Sequence, residues 1–188
     1  MRGLMVLMLA LLSACTSQEP AISLPLLRLA PAAFATAMPL SLSQRLTVTP
    51  LPASRGETNS PAKNLDALLE INPDQVQLAG FALGQRILTV GWDGQSLTSS
   101  RHALLPKEVD EQRVLRDVQL VYWPLATIQA ALPAGWALSE ESGVRTLTQG
   151  PHTIITIRYH AEPRWAGQTE LENTLEHYRL VIDSKETQ

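Results

Sequence analysis

Through the first half of the chain, apolar and polar residues alternate in short runs, and each run predicts a half-buried strand. Residues 44–49 form the first candidate. A polar loop, residues 50–63, follows and contains Ser54, Arg55, Gly56, Glu57, Thr58, Asn59 and Ser60. Leu65, Ala67, Leu69 and Ile71 then share one face of a second strand, with Asp66 and Glu70 on the other. Residues 75–83 and 85–92 read as two further strands joined near Gly84. Asp93-Gly94 marks a tight turn into residues 95–100. The pattern predicts an antiparallel meander.

The period changes near Val109. Val114, Val118, Val121, Leu125, Ile128 and Leu132 recur at helical steps and predict one apolar stripe over residues 109–132. Pro124 falls inside that stretch. Its missing N–H predicts a kink or two helices, with Pro124 as the first residue of the second. Pro133-Ala134-Gly135 ends the helical part, and strands are predicted again over residues 144–148, 153–160 and 175–183. Strands, a central helical segment, then strands again predict an α+β fold: a curved antiparallel sheet with helices packed on its concave face.

Ahead of this domain the chain is different. Residues 16–40 carry only Glu19 and Arg28 as charges, while Pro20, Pro25, Pro31 and Pro39 recur at a density that disfavours helix and ladder alike. A tether is predicted, with Leu24, Leu26, Leu27, Leu29 and Phe34 able to lie against the body. As a flexible coil it would reach about 27 Å. Before it, Arg2 and the uncharged residues 4–12 lead to Leu12-Ser13-Ala14-Cys15, which resembles a bacterial lipobox. That run is too short to span a bilayer, for which about twenty residues are needed. The resemblance implies a signal peptide over residues 1–14, lipidation of Cys15, a tether over 15–40 and a single domain over 41–188. It also implies an N-terminal membrane anchor. Thr16 and Ser17 after the cysteine, rather than aspartate, favour the outer membrane by the enterobacterial sorting pattern, with the body facing the periplasm.

Composition narrows the function. The formal charge is −3, which argues against nucleic acid as a main partner, since phosphate binding needs a concentrated Lys/Arg surface. Cys15 is the only cysteine, which rules out an internal disulfide. Catalytic patterns are thin. Gly94-Gln95-Ser96-Leu97-Thr98 lacks the second glycine of a nucleophile elbow, and there is no phosphate-binding glycine loop. His102, His152, His160 and His177 lack metal-ligand spacing. Asp110/Glu111 reads as a helix-start preference and Glu140/Glu141 as a solvated turn. The expectation is a protein without catalytic residues, metal or cofactor.

The runs Gly80-Phe81-Ala82-Leu83-Gly84-Gln85-Arg86-Ile87-Leu88, Trp92-Asp93-Gly94, residues 116–124 (Arg-Asp-Val-Gln-Leu-Val-Tyr-Trp-Pro) and Leu132-Pro133-Ala134-Gly135-Trp136 together resemble an uncharacterised family of proteobacterial lipoproteins. Those lipoproteins are encoded beside aryl-polyene and fatty-acid-like biosynthesis genes. More distantly, the order of elements is similar to the LolB-type outer-membrane lipoprotein receptor and its LolA carrier, which are half-open β-barrels lidded by helices over an apolar cavity. The likeness departs at one point. The LolB type delivers cargo through an exposed leucine on a protruding loop, whereas loop 50–63 is polar with only Leu51 near its start, and Leu51 is not assigned that role.

The resemblance implies a LolB/LolA-like lipoprotein that binds and helps transfer or insert an acyl or polyenyl lipid, or a lipidated cargo, at the outer membrane. Its partners would be that lipid and an envelope transport protein. The alternative is a non-catalytic scaffold for an envelope complex. Candidate lipid-binding residues are Phe81, Leu88, Val90, Trp92, Val118, Val121, Tyr122 and Trp123. The aromatics suit either a pocket entrance or core packing. A cavity and a filled core give the same alternation, so the pattern does not separate them.

Overall fold

The structure, a computed structural model, describes residues 23–34, 39–53, 61–105 and 109–187. Cys15 and the lipobox lie outside them, as does the centre of the polar loop. Ten antiparallel strands form one open curved sheet: β1 Leu40–Pro50, β2 Lys63–Ile71, β3 Val76–Ala82, β4 Gln85–Trp92, β5 Leu97–Arg101, β6 Trp136–Glu141, β7 Val144–Gln149, β8 His152–Tyr159, β9 Gly167–Asn173 and β10 Tyr178–Glu186. Their order across the sheet is β5-β4-β3-β2-β1-β10-β9-β8-β7-β6. Two five-strand meanders are thus sewn together where β1 pairs with β10, from Leu42 opposite Glu186 to Pro50 opposite Tyr178.

Alternation sets which face is buried. Ala67, Leu69 and Ile71 of β2, Val76 and Leu78 of β3, and Leu88, Val90 and Trp92 of β4 all point into one core. Asp93 closes the β4–β5 turn by accepting from the backbone N–H groups of Gln95 and Ser96 (2.8 and 2.6 Å).

Between the meanders lie α1 (Glu111–Tyr122) and α2 (Leu125–Ala131). Asp110 caps α1, its carboxylate accepting from Gln112 and Arg113 (2.9 and 3.0 Å). Pro124 separates the helices as expected, but it stands just before α2, as its cap, rather than at its first position. The buried face of α1 also differs from the expected stripe. Val114 and Val118 are half-buried, while Leu115, Arg116, Gln119, Leu120, Val121 and Tyr122 are buried. The face is turned because Arg116 and Gln119 have partners elsewhere in the fold, and a count of apolar steps does not see polar side chains that are satisfied.

Two strands were not expected. β6 has a single buried residue, Leu138, and β9 points Thr169 and Asn173 inward beside Leu171, so neither shows clean apolar alternation. β6 also corrects the reading of Glu140/Glu141 as a solvated turn. Both residues are on a strand, and Glu140 is held by two arginines.

Residues 23–34, read as tether, run against the body as a strap that ends in a 3₁₀ turn, Pro31–Phe34. Leu24, Leu27, Leu29, Pro31 and Phe34 are buried and join the main core, whereas Leu26 is 48% exposed. Proline is no obstacle here, because the strap belongs to no ladder.

Candidate functional site

The strap is fastened by side chains rather than by a strand partner. The Leu29 carbonyl accepts from the indole Nε1 of Trp92 (2.8 Å) and from Nε2 of Gln119 (2.9 Å). The Leu29 N–H donates back to Oε1 of Gln119 (3.3 Å). The Ala30 carbonyl accepts from Trp123 Nε1 (3.2 Å), and the Phe34 ring meets the Trp123 ring at 5.2 Å. β4 supplies Trp92, while α1 and its C-terminal cap supply Gln119 and Trp123. The strap therefore lies between helix and sheet.

Among the expected lipid-binding residues, Leu88, Val90, Trp92, Val121, Tyr122 and Trp123 are buried in this core. Trp92 and Trp123 hold the strap. Tyr122 turns its hydroxyl to accept from Gln44 Nε2 (2.6 Å), and the same Gln44 amide reaches Ser184 Oγ at 2.9 Å. Val118 is half-buried on α1. Phe81 is half-buried near the β3–β4 turn, with the Arg86 guanidinium 5.9 Å from its ring centre. The structure therefore gathers most of the set in one core, which the strap joins and where it meets Trp92 and Trp123 directly.

Beside the strap's end is a cleft of about 370 Å³ lined by Phe34, Tyr122, Pro124, Leu125, Glu140, Arg145, Arg164 and Trp165. Only Tyr122 of these was expected. The helix junction explains the polar wall. Pro124 has no N–H for the Leu120 carbonyl four residues earlier, so the buried Arg145 guanidinium donates to it instead through Nη1, and also to the Trp123 carbonyl at 3.0 Å. Tyr159 donates its hydroxyl to the Val121 carbonyl (2.7 Å), and burial pushes that hydroxyl's pKa up to about 12. Glu140 accepts from Arg145 Nε (2.8 Å) and from Arg164 Nη2 and Nη1 (2.7 and 3.1 Å). Arg145 Nη2 also lies 2.7 Å from Glu140, in ionic contact. Arg164 stacks over the Tyr159 ring at 4.8 Å. No spacing along the chain points to this grouping, since β6, β7 and the β8–β9 loop meet only in the folded sheet.

Burial works against the charge on Glu140, but the hydrogen bonds from Arg164 and then Arg145 outweigh it and hold the carboxyl below its ordinary 4.5. A depressed folded value means that the stabilisation is present above the unfolded value and lost as pH falls through the folded one. Urea midpoints should therefore drop as pH falls below about 4.5, and Glu140→Gln should flatten that part of the profile. An unchanged profile in the variant would show that the pair contributes nothing to folding.

A second charged group stands elsewhere. Arg116, 1% exposed, donates to both Glu176 oxygens (3.0 and 2.7 Å) and to Asp117 Oδ1, while Tyr178 donates to Asp117 Oδ2. It pins α1 to the β9–β10 turn and lines no described cleft. Among the described residues no cluster of His, Cys, Asp and Glu could hold a metal ion, and no helix is long and apolar enough to cross a membrane.

At the β3–β4 turn, Leu83 is 95% exposed with φ +52, followed by Gly84 at φ +74. A two-residue turn with both φ positive favours Asn-Gly, and a leucine there is strained by about 1–2 kcal/mol. Leu51, by contrast, is half-buried and donates its N–H to the His177 carbonyl (2.7 Å).

No curated protein matches the chain. Residues 41–186 match the model of a family described as protein of unknown function (DUF3261), a span that takes in all but the first residue of the sheet, and the chain belongs to that family.

Proposed function

We propose that this protein is a non-enzymatic, outer-membrane-anchored lipoprotein that takes an acyl or polyenyl chain, or the lipid tail of a cargo, into the concave face of its sheet and helps settle it in the membrane. The observation that carries this reading is the strap. An extended apolar segment, Leu24 to Phe34, occupies the groove between α1 and β4, held through backbone carbonyls that make no demand on its side-chain sequence. The strap belongs to no ladder, so its departure would break side-chain hydrogen bonds at Leu29 and Ala30 and leave the hydrogen bonding of the sheet intact. Cys15 would carry the anchor, and the LolB/LolA resemblance supports the same direction.

Leu83 suits the delivery step. A fully exposed leucine on a strained tip gains about 1.5–3 kcal/mol on entering lipid. Leu83→Asn should relieve the turn, raising stability by about 1 kcal/mol, while weakening association with anionic lipid vesicles several-fold. Vesicle flotation and urea unfolding of the same variant separate the two effects. If flotation is unchanged, the tip has no part in delivery.

The rival reading is a scaffold lipoprotein that holds an envelope complex through a protein surface. A strap that never opens would favour it, because a permanently closed core needs no cargo. Native mass spectrometry of the protein purified from its own host decides between them. Co-purifying lipid, together with increased hydrogen exchange over residues 23–34, is the expected result. A lipid-free protein with a protected strap would leave the scaffold.

A further inference from the structure

The cleft at the strap's end has chemistry that the interior groove lacks. Its lining joins Phe34, Pro124, Leu125 and Trp165 to two guanidiniums sharing the Glu140 carboxylate. Two cations on one anion leave the group net positive in a partly dry setting. The cations have different duties. Arg145 is fully buried and committed to the Leu120 and Trp123 carbonyls. Arg164 is 27% exposed at its side chain and is fastened through Glu140 and the Tyr159 ring. It can exchange Glu140 for another anion while Glu140 stays paired with Arg145, so the exchange leaves no buried charge alone. A guanidinium fork also matches a carboxylate or phosphate in geometry.

We propose that this cleft binds the anionic head, a carboxylate or a phosphate, of an acyl-chain ligand through Arg164, with the first methylenes against Phe34, Leu125 and Trp165. Phe34 also belongs to the strap and meets the Trp123 ring. A chain continuing inward from the cleft follows the path the strap now fills, so head recognition and strap release share one residue. This rests on the lipid-binding reading above and names the ligand's polar end.

The test is calorimetric titration of the delipidated full chain with dodecanoate, dodecyl phosphate, dodecanol and inorganic phosphate, below micelle-forming concentrations. Both anionic amphiphiles should bind at least about tenfold tighter than dodecanol. Arg164→Gln should abolish that preference while leaving dodecanol affinity unchanged, and Arg164→Lys should retain part of it. Equal binding of dodecanol and dodecanoate overturns the head site and leaves the lipid reading standing. Inorganic phosphate binding as tightly as dodecyl phosphate makes this a free-anion site and overturns the acyl part. A preference that survives in Arg164→Gln removes Arg164 from the role. No binding of any amphiphile ends both proposals. Because Arg164 is partly exposed, its variants are expected to fold, which circular dichroism verifies.

Discussion

Replacing Arg145 with alanine is expected to cost the fold about 3–5 kcal/mol, the range seen when one member of a buried ion pair is removed. Three losses coincide at this side chain. Glu140 loses its buried partner and keeps only Arg164. The Leu120 carbonyl, already without its helical donor because residue 124 is proline, is left unpaired, and the Trp123 carbonyl loses its donor as well. Urea unfolding monitored by far-ultraviolet circular dichroism measures the cost. Arg145→Lys should recover only part of it, since an ammonium does not reproduce the fork that meets two carbonyls and a carboxylate together. A loss below about 1 kcal/mol would mean that water satisfies the helix end and that the buried arginine is dispensable.

The second large effect is expected at Leu29. A carboxylate there, in Leu29→Asp, replaces a side chain buried in the apolar core and should release the strap rather than unfold the sheet. The penalty is capped, because once residues 23–34 leave, the misplaced charge is in water and costs nothing further. The expected signature is local: tryptophan emission shifts to the red as Trp92 and Trp123 lose their cover, hydrogen exchange rises over the strap and α1, and urea unfolding stays cooperative at a lower midpoint. In the lipid-binding reading the same variant should take up dodecanoate more tightly than the parent, because the ligand no longer competes with the strap. Unchanged emission would show that the strap contributes no cover to either indole.

Much of the sheet was legible in the chain. β1 to β5 and the break at Pro124 follow from alternation and from one missing N–H. β6 and β9 did not show, because inward-facing Thr169 and Asn173 and a sparsely buried edge strand carry too little apolar contrast. The helix face was misplaced where Arg116 and Gln119 go inward to partners sixty and ninety residues away, Glu176 and Leu29. Proline density correctly excluded a ladder for residues 23–34 but not an extended segment pinned by indole and amide groups. Of the candidate site, the interior surface of Leu88, Val90, Trp92, Val121, Tyr122 and Trp123 was visible as a set of apolar positions. That Leu24, Leu27, Leu29 and Phe34 lie against the body was legible too, but the bonds that hold them there were not, and neither was the Arg164–Glu140–Arg145 group, because nothing in spacing brings three separate elements to one cleft.

The seam between β1 and β10 has a consequence for how the molecule assembles. Apart from the long connection between β1 and β2 and the shorter one between β8 and β9, the strands of each meander are joined by turns of two to four residues, so either half can begin to form from nearby contacts. The seam itself joins Gln44 to Ser184, about as far apart as the domain permits, and closing so long a loop comes at an entropic penalty that local pairing does not carry. Refolding should therefore show early protection within β2–β4 and β7–β9, and late protection along the β1–β10 ladder. Until that last step, two open strand edges face solvent, and this is the interval in which the chain is most exposed to aggregation.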